Sequence, residues 1–290
     1  MISVSPSLHL LDGRSPNRED IGLLLENSAY LWGSSVFTTA LIHKGNLAFH
    51  DYHLKRLIES AKWLWSKDDL EEWITNSWNE SFLHLREQHF KEEFYKLRFT
   101  LFKDPQNEIH SHLCLSPFSK GTMGVELELT PVPIFFPRRE EELTFDPKVG
   151  SYLETFRSWS QAQAMPLFYD KEGLVLETPI SNIFFYNKKS KEDVFIYPYV
   201  KGQMLLGIGL EQGLKGLSLR QESLNIEQLD KFTHAFVINS LRGPQPVLSL
   251  GKSFLWKEDD ISKNLFQRVL KQFNQNIEKS QRKLWPMEKC

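Results

Sequence analysis

The sequence predicts an α/β protein of two domains, a small α+β N-terminal domain over residues 1–121 and a larger C-terminal domain over residues 122–290. Three observations predict it. Short β-branched and aromatic runs alternate with apolar stripes at helical spacing. A glycine- and proline-rich passage over 119–137 interrupts this pattern near the middle of the chain. With 290 residues, 41% of them hydrophobic and 25% charged, the chain is long enough to bury a sizeable core in one large domain or two ordinary ones.

The elements follow in order. Residues 34–42 are β-branched and aromatic, and His43-Lys44-Gly45-Asn46 supplies turn chemistry before Leu47-Ala48-Phe49, which makes a hairpin. Leu54, Leu57, Ile58, Ala61, Leu64 and Trp65 recur at helical spacing, with Asp51 placed to cap that helix and Arg56 off its apolar stripe. A second helix is expected at about 69–90, then strands at 97–102 and 112–117. The passage to the second domain lies near residue 122 and brackets one alternating strand, 125–129. Beyond it the pattern gives a helix at about 150–163, a strand pair around Gly173 and 183–186, a strand at 194–197 and a helix opening at Gly207. A strand at 235–239 and a terminal helix carrying Ile261, Leu265, Phe266, Val269, Leu270 and Phe273 complete the chain. Trp63, Trp65, Trp73 and Trp78 fall on helices and read as packing residues, without the basic interleaving of base-stacking platforms.

Composition excludes several classes of function. Lys and Arg total 35 against 37 Asp and Glu, so no global field draws the chain to nucleic acid or an anionic membrane. Two cysteines, Cys114 and Cys290, are a poor basis for a disulfide framework or zinc cluster, which points to a cytoplasmic home. The N-terminus lacks a basic start followed by an apolar stretch, and no apolar run has membrane-spanning length, so a soluble, unexported protein is expected. His110 and His112 share a strand face without a third ligand at metal spacing, and no metal is expected.

The candidates for chemistry are few. Lys148 is the lone lysine between Lys120 and Lys171; used as an amine nucleophile it must shed its proton near neutrality, which partial burial or a neighbouring cation promotes. Glu177 ends the apolar run Gly173-Leu174-Val175-Leu176, where a carboxylate can hold a pyridinium nitrogen protonated, and Asn182 can tie down the turn that follows. Gly207-Ile208-Gly209 opens a helix whose first amides attract phosphate, Ser240 can add a hydroxyl, and Arg56 can clamp the same anion. Singly, each also reads as an ordinary surface charge, loop acid or turn.

In chain order, Ala29 to Thr39, His53-Leu54-Lys55-Arg56-Leu57, Lys148, Glu177 to Phe184, Pro198 to Ile208 and Asn239 to Val247 resemble the class IV aminotransferase family of fold type IV, which uses pyridoxal 5'-phosphate. The resemblance implies that Lys148 binds the cofactor's aldehyde and later moves the substrate's α-proton. It implies that Glu177 pairs with the pyridine nitrogen, with Asn182 beside it, and that Arg56, the Ile208 and Gly209 amides and Ser240 hold the phosphate. Thr38, Arg98 and Tyr152 are the implied substrate contacts. Members are two-domain homodimers acting on small molecules, with the cofactor between the domains.

Within the family, Phe37-Thr38-Thr39 and Arg98 are closest to aminodeoxychorismate lyase, which releases pyruvate and leaves 4-aminobenzoate for folate biosynthesis. Branched-chain or D-amino-acid aminotransferase is the alternative, and a non-catalytic binding relative a third. The departures are Phe102-Lys103-Asp104-Pro105 in place of an arginine-glycine loop, Gly209-Leu210 in place of threonine-arginine at the phosphate helix, Pro179 and Tyr197.

Overall fold

The computed structural model describes residues 7–18, 20–66, 69–86, 92–119, 127–134, 147–150, 153–161, 164–187, 192–251, 254–255 and 260–284. In chain order its first elements are β1 (Leu8–Leu11), α1 (Asp20–Leu25), α2 (Ser28–Trp32), β2 (Ser35–His43), β3 (Asn46–Leu47), α3 (His50–Trp65), α4 (Leu70–Arg86), β4 (Phe94–Lys103) and β5 (Ile109–Pro117). Next come β6 (Leu127–Pro133), α5 (Leu153–Gln161), β7 (Met165–Tyr169), β8 (Asn182–Tyr186), β9 (Phe195–Tyr197), α6 (Ile208–Glu211) and β10 (Leu219–Gln221). The chain continues through β11 (His234–Asn239), β12 (Gly243–Leu250), β13 (Phe254–Leu255), α7 (Asp260–Ser280) and β14 (Arg282–Lys283).

Two compact units form. One is Met1–Lys120 with Pro147–Ser151 and Ser280–Cys290; the other is Gly121–Asp146 with Tyr152–Lys279. A single cut after residue 121 therefore does not describe the division, because two short distant segments return to the first unit. Lys148 lies on one of them.

The first unit is a sheet in the order β1-β5-β4-β2-β3-β14, antiparallel at each pairing. Its β2–β3 turn has Lys44 at φ 48° and Gly45 at φ 73°. Positive φ at both central residues is the geometry whose twist matches a two-residue hairpin. Along β2 the pleat sends Val36, Ala40 and Ile42 into a core with Leu57 and Ala61 of α3 and Ile74 and Trp78 of α4. Helix α3 starts differently from the expectation: Phe49 is its N-cap, with φ 54° and no side-chain cap bond. Asp51 lies inside the first turn, where it favours the helix dipole and accepts from His50 Nδ1 at 2.7 Å.

The second unit holds a sheet in the order β10-β9-β8-β11-β12-β6-β7, with β13 on β12. The expected strand at 125–129 is observed from Leu127 to Pro133, through two prolines assigned from sequence to a loop. Pro131 and Pro133 are accommodated because β12 pairs with β6 only over Leu127–Leu129, so their missing N–H groups break no ladder on that side. Helix α7 buries Leu265, Phe266, Val269, Phe273 and Ile277, while Ile261 stays 46% exposed. Phe273 fills the space left by Gly213 and Gly243; a Cβ on Gly213 would lie 2.5 Å from its ring. Among the described residues, no helix is long and apolar enough to cross a membrane.

Candidate active site

The groups of the first unit come from β2, β4, α3 and the segment that carries Lys148. The segment carrying Lys148 docks along the start of β2: Phe37 N–H donates to Lys148 O at 3.2 Å, Gly150 N–H donates to Ser35 O at 2.7 Å, and Val149 bridges Val36. From the other side, Lys148 N–H donates to Ser60 Oγ of α3 at 3.0 Å. Gly150 has no room for a side chain, since a Cβ there would fall on Ser35 Oγ. With its backbone fixed, the lysine side chain places Nζ 4.9 Å from the centroid of the Phe37 ring. Arg98, exposed on β4, stacks its guanidinium on the same ring at 3.7 Å. Amine and guanidinium thus share one aromatic neighbour. Arg56 stands half-buried on α3, one turn before Ser60.

Thr38 is not on this face. Its neighbours in β2 alternate, so Phe37 and Thr39 point to the Arg98 side while Thr38 points under α3, 1% exposed. Its Oγ1 lies 2.6 Å from His53 Nδ1. A threonine expected at the substrate is instead a core residue. Burial first, then the charges of Arg56 and Lys148, push the His53 imidazole well below the ordinary histidine range, so the ring is neutral. Its Nε2 is buried with no hydrogen-bond partner among the described residues.

The second unit holds the acid and the glycine-opened turn of α6. Glu177 follows Val175 and Leu176, which are buried, so its half-buried carboxylate is held at the edge of the core. Oε1 accepts from Leu205 N–H at 3.0 Å and Oε2 from Asn182 Nδ2 at 3.0 Å. Bonds of this kind favour the ionised form. Asn182 does more than pin its own turn: Nδ2 also donates to Leu205 O at 2.7 Å and Oδ1 accepts Gly207 N–H at 2.7 Å. One amide therefore ties the acid to the start of α6. That helix is a single turn, in which the Leu210 and Glu211 amides return to Gly207 O. As first-turn groups, the Ile208 and Gly209 N–H have no intrahelical acceptor. Gly209 presses on the turn after β11, where a Cβ would sit 2.6 Å from Asn239 C and 2.8 Å from Ser240 N. Asn239 Oδ1 holds that turn by accepting from Leu241 and Arg242. Gly209 and Ser240, far apart in sequence, are thereby brought together.

Tyr152 lies outside the described residues. Sequence reasoning missed Ser60, His53, Leu205 and Asn239 as supporting groups. For two of them a signal existed, since Ser60 and His53 are polar residues on the buried stripe of α3. Elsewhere, Asp104, Glu108 and His110 bring possible ligand atoms within 4.8 Å of one another. Both His110 ring nitrogens are already engaged, Nδ1 with Asp12 at 2.7 Å and Nε2 with Asp104 at 3.3 Å. Burial lowers the His110 pKa, but the two carboxylates outweigh it and hold the ring above its usual value. The group is an ion-paired loop clasp.

Comparison with known proteins gives a consistent result. The family described as amino-transferase class IV matches residues 35–250. A search with the sequence among curated proteins finds no match. Among solved structures, a branched-chain aminotransferase from Thermoproteus uzoniensis with norvaline superposes with TM-score 0.74 at 19% identity, covering 96% of this chain and 100% of that one. The Escherichia coli branched-chain amino acid aminotransferase gives 0.73 at 16% identity, covering 92% and 94%. A hypothetical aminotransferase from Mycobacterium tuberculosis in its PLP-bound form gives 0.67 at 16% identity, covering 87% and 92%. At these identities the structural likeness fixes the fold, not the reaction.

Proposed function

The chain belongs to the class IV aminotransferase family and is a pyridoxal 5'-phosphate-dependent enzyme, and on that premise we propose that it transfers the amino group of an α-amino acid to a 2-oxo acid. The observation that carries this reading is the Phe37 ring shared by Lys148 Nζ and Arg98. A substrate's α-carbon is one bond from its carboxylate, so the base that moves the α-proton and the cation that holds the carboxylate must be close neighbours.

The residues present fit the cofactor. Gly209 leaves the backbone close approach that a phosphate cradle needs, and the two Glu177 oxygens each accept from an N–H donor. We assign the phosphate to the Ile208 and Gly209 amides, Ser240 and Arg56, the pyridine nitrogen to Glu177, and the covalent attachment to Lys148. Asn182 acts through Glu177. Bound pyridoxal phosphate supplies an electron-withdrawing ring that stabilises the electron pair left at the substrate's α-carbon. Lys148 Nζ, as a free amine, takes the α-proton and returns it. Arg98 orients the substrate through its carboxylate, and Glu177 keeps a proton on the pyridine nitrogen.

A second reading is aminodeoxychorismate lyase. Thr39, opposite Arg98 across β2 and β4, favours it by setting a hydroxyl beside the carboxylate-binding guanidinium. Thr38, being buried, no longer argues for it. Single-turnover spectra of the holoenzyme with a panel of D- and L-amino acids separate the two. Conversion of bound cofactor to the pyridoxamine form, with matching 2-oxo acid, is expected. Pyruvate and 4-aminobenzoate from aminodeoxychorismate, without that conversion, would replace the first reading by the second.

We also read the protein as a cytoplasmic homodimer, from its scarce cysteines and the family's habit. Tyr30, Leu31 and Trp32 of α2, exposed by 70%, 50% and 77%, are the kind of apolar surface that association covers. Sedimentation at micromolar concentration should give the dimer mass; a monomer would remove this assignment.

A further inference from the structure

Resting on Lys148 as the cofactor's lysine, we propose that Ser60 is a positioning residue that aims it. Ser60 is 1% exposed on the buried face of α3, beside Leu57, Ile58 and Ala61. A hydroxyl enclosed by apolar neighbours needs a partner, and here the partner is the N–H of Lys148, 88 residues away. The lysine's carbonyl is engaged on the opposite side by Phe37 of β2. Strand and helix thus hold the Lys148 backbone from two directions, and only the flexible side chain is left to reach over Phe37.

Helix α3 also carries Arg56, four residues before Ser60. Positions four apart lie on the same helix face, separated by about 6 Å of rise. One rigid helix therefore sets the spacing between the cation assigned to the cofactor's phosphate and the backbone that carries the amine. Without Ser60 Oγ, the lysine segment keeps its pairing with β2 and the packing of Val149 on the core but loses its bond to α3, and can pivot about the strand. Arg56 and the anion cradle of the second unit are untouched by that loss.

Mixing the protein with pyridoxal phosphate, reducing with borohydride at timed intervals and locating the adduct by mass spectrometry reads the rate of attachment to Lys148. Pyridoxamine phosphate has no aldehyde, so its affinity reads the remaining contacts. Ser60→Ala is expected to slow attachment about tenfold, to lower kcat rather than raise KM, and to bind pyridoxamine phosphate as wild type does. Ser60→Thr keeps the acceptor oxygen and is expected to stay near the wild-type rate. Attachment in Ser60→Ala at the wild-type rate, equal loss of pyridoxamine phosphate binding, or Ser60→Thr as slow as Ser60→Ala would each overturn the assignment. If Ser60→Ala does not fold, Ser60→Thr and Ser60→Cys, which keep and weaken the acceptor, carry the same comparison. No adduct at Lys148 in the wild type would instead overturn the functional reading beneath it.

Discussion

Lys148→Ala is expected to lower turnover by about 10³-fold or more, because the proposed assignment gives one amine both the attachment of the cofactor and the movement of the proton at the substrate's α-carbon. The bound cofactor's visible absorbance should disappear with it. The fold should survive. The segment is held by backbone groups, Lys148 N–H to Ser60 Oγ, Phe37 N–H to Lys148 O and Gly150 N–H to Ser35 O, and alanine retains all three. The side chain removed is half-buried and lies over a ring that Arg98 also covers. Thermal unfolding of the variant should therefore coincide with that of the wild-type protein stripped of cofactor. Turnover above about a tenth of wild type, far outside the loss expected of a missing general base, would mean that another group does this work.

The largest stability effect is expected at Trp78, where replacement by alanine should cost about 3–5 kcal/mol. Trp78 is fully buried, with Phe82 and Phe99 edge-on at 4.9 and 5.0 Å. Its Nε1 donates to His50 Nε2 at 2.9 Å, which ties α4 to the first residue of α3. Alanine leaves a cavity and removes one donor from a buried imidazole, whose pKa is lowered by burial, with Asp51 opposing. The N-terminal turn of α3, which leads into His53 and Arg56, loosens as a result. Denaturant titration measures the loss. Trp73→Ala on the same helix, where the ring is 36% exposed, provides the contrast and should cost far less. Equal costs at the two positions would show that burial does not set the stability of this unit.

Local pattern was a good guide to elements and a poor one to direction. The β2–β3 hairpin, α3, α4, β4, β5, β8, β9, β11 and α7 follow from period and turn chemistry, because these signals are contained in a few adjacent residues. β6 runs on past the expected end at residue 129 through two prolines, which normally end a strand, because its pairing with β12 stops at Leu129. The helix that opens at Gly207 ends after one turn, and the apolar pattern that Leu210 and Leu214 continue is buried by packing without further helix.

By itself, the sequence supplied the candidates for the site: an acid at Glu177, a lysine at Lys148, an arginine at Arg56 and a glycine-opened turn at Gly207, in an order that resembles one cofactor family. Only the tertiary structure decided where those side chains go. Pro147–Ser151 joins the first unit, Thr38 turns into the core while Phe37 carries Lys148 and Arg98, and Asn182 binds Glu177 to the start of α6. The physical reason is range. Composition and periodicity report on neighbours along the chain, whereas strand register and a hydrogen bond spanning 88 residues, Ser60 to Lys148, exist only after distant segments have packed.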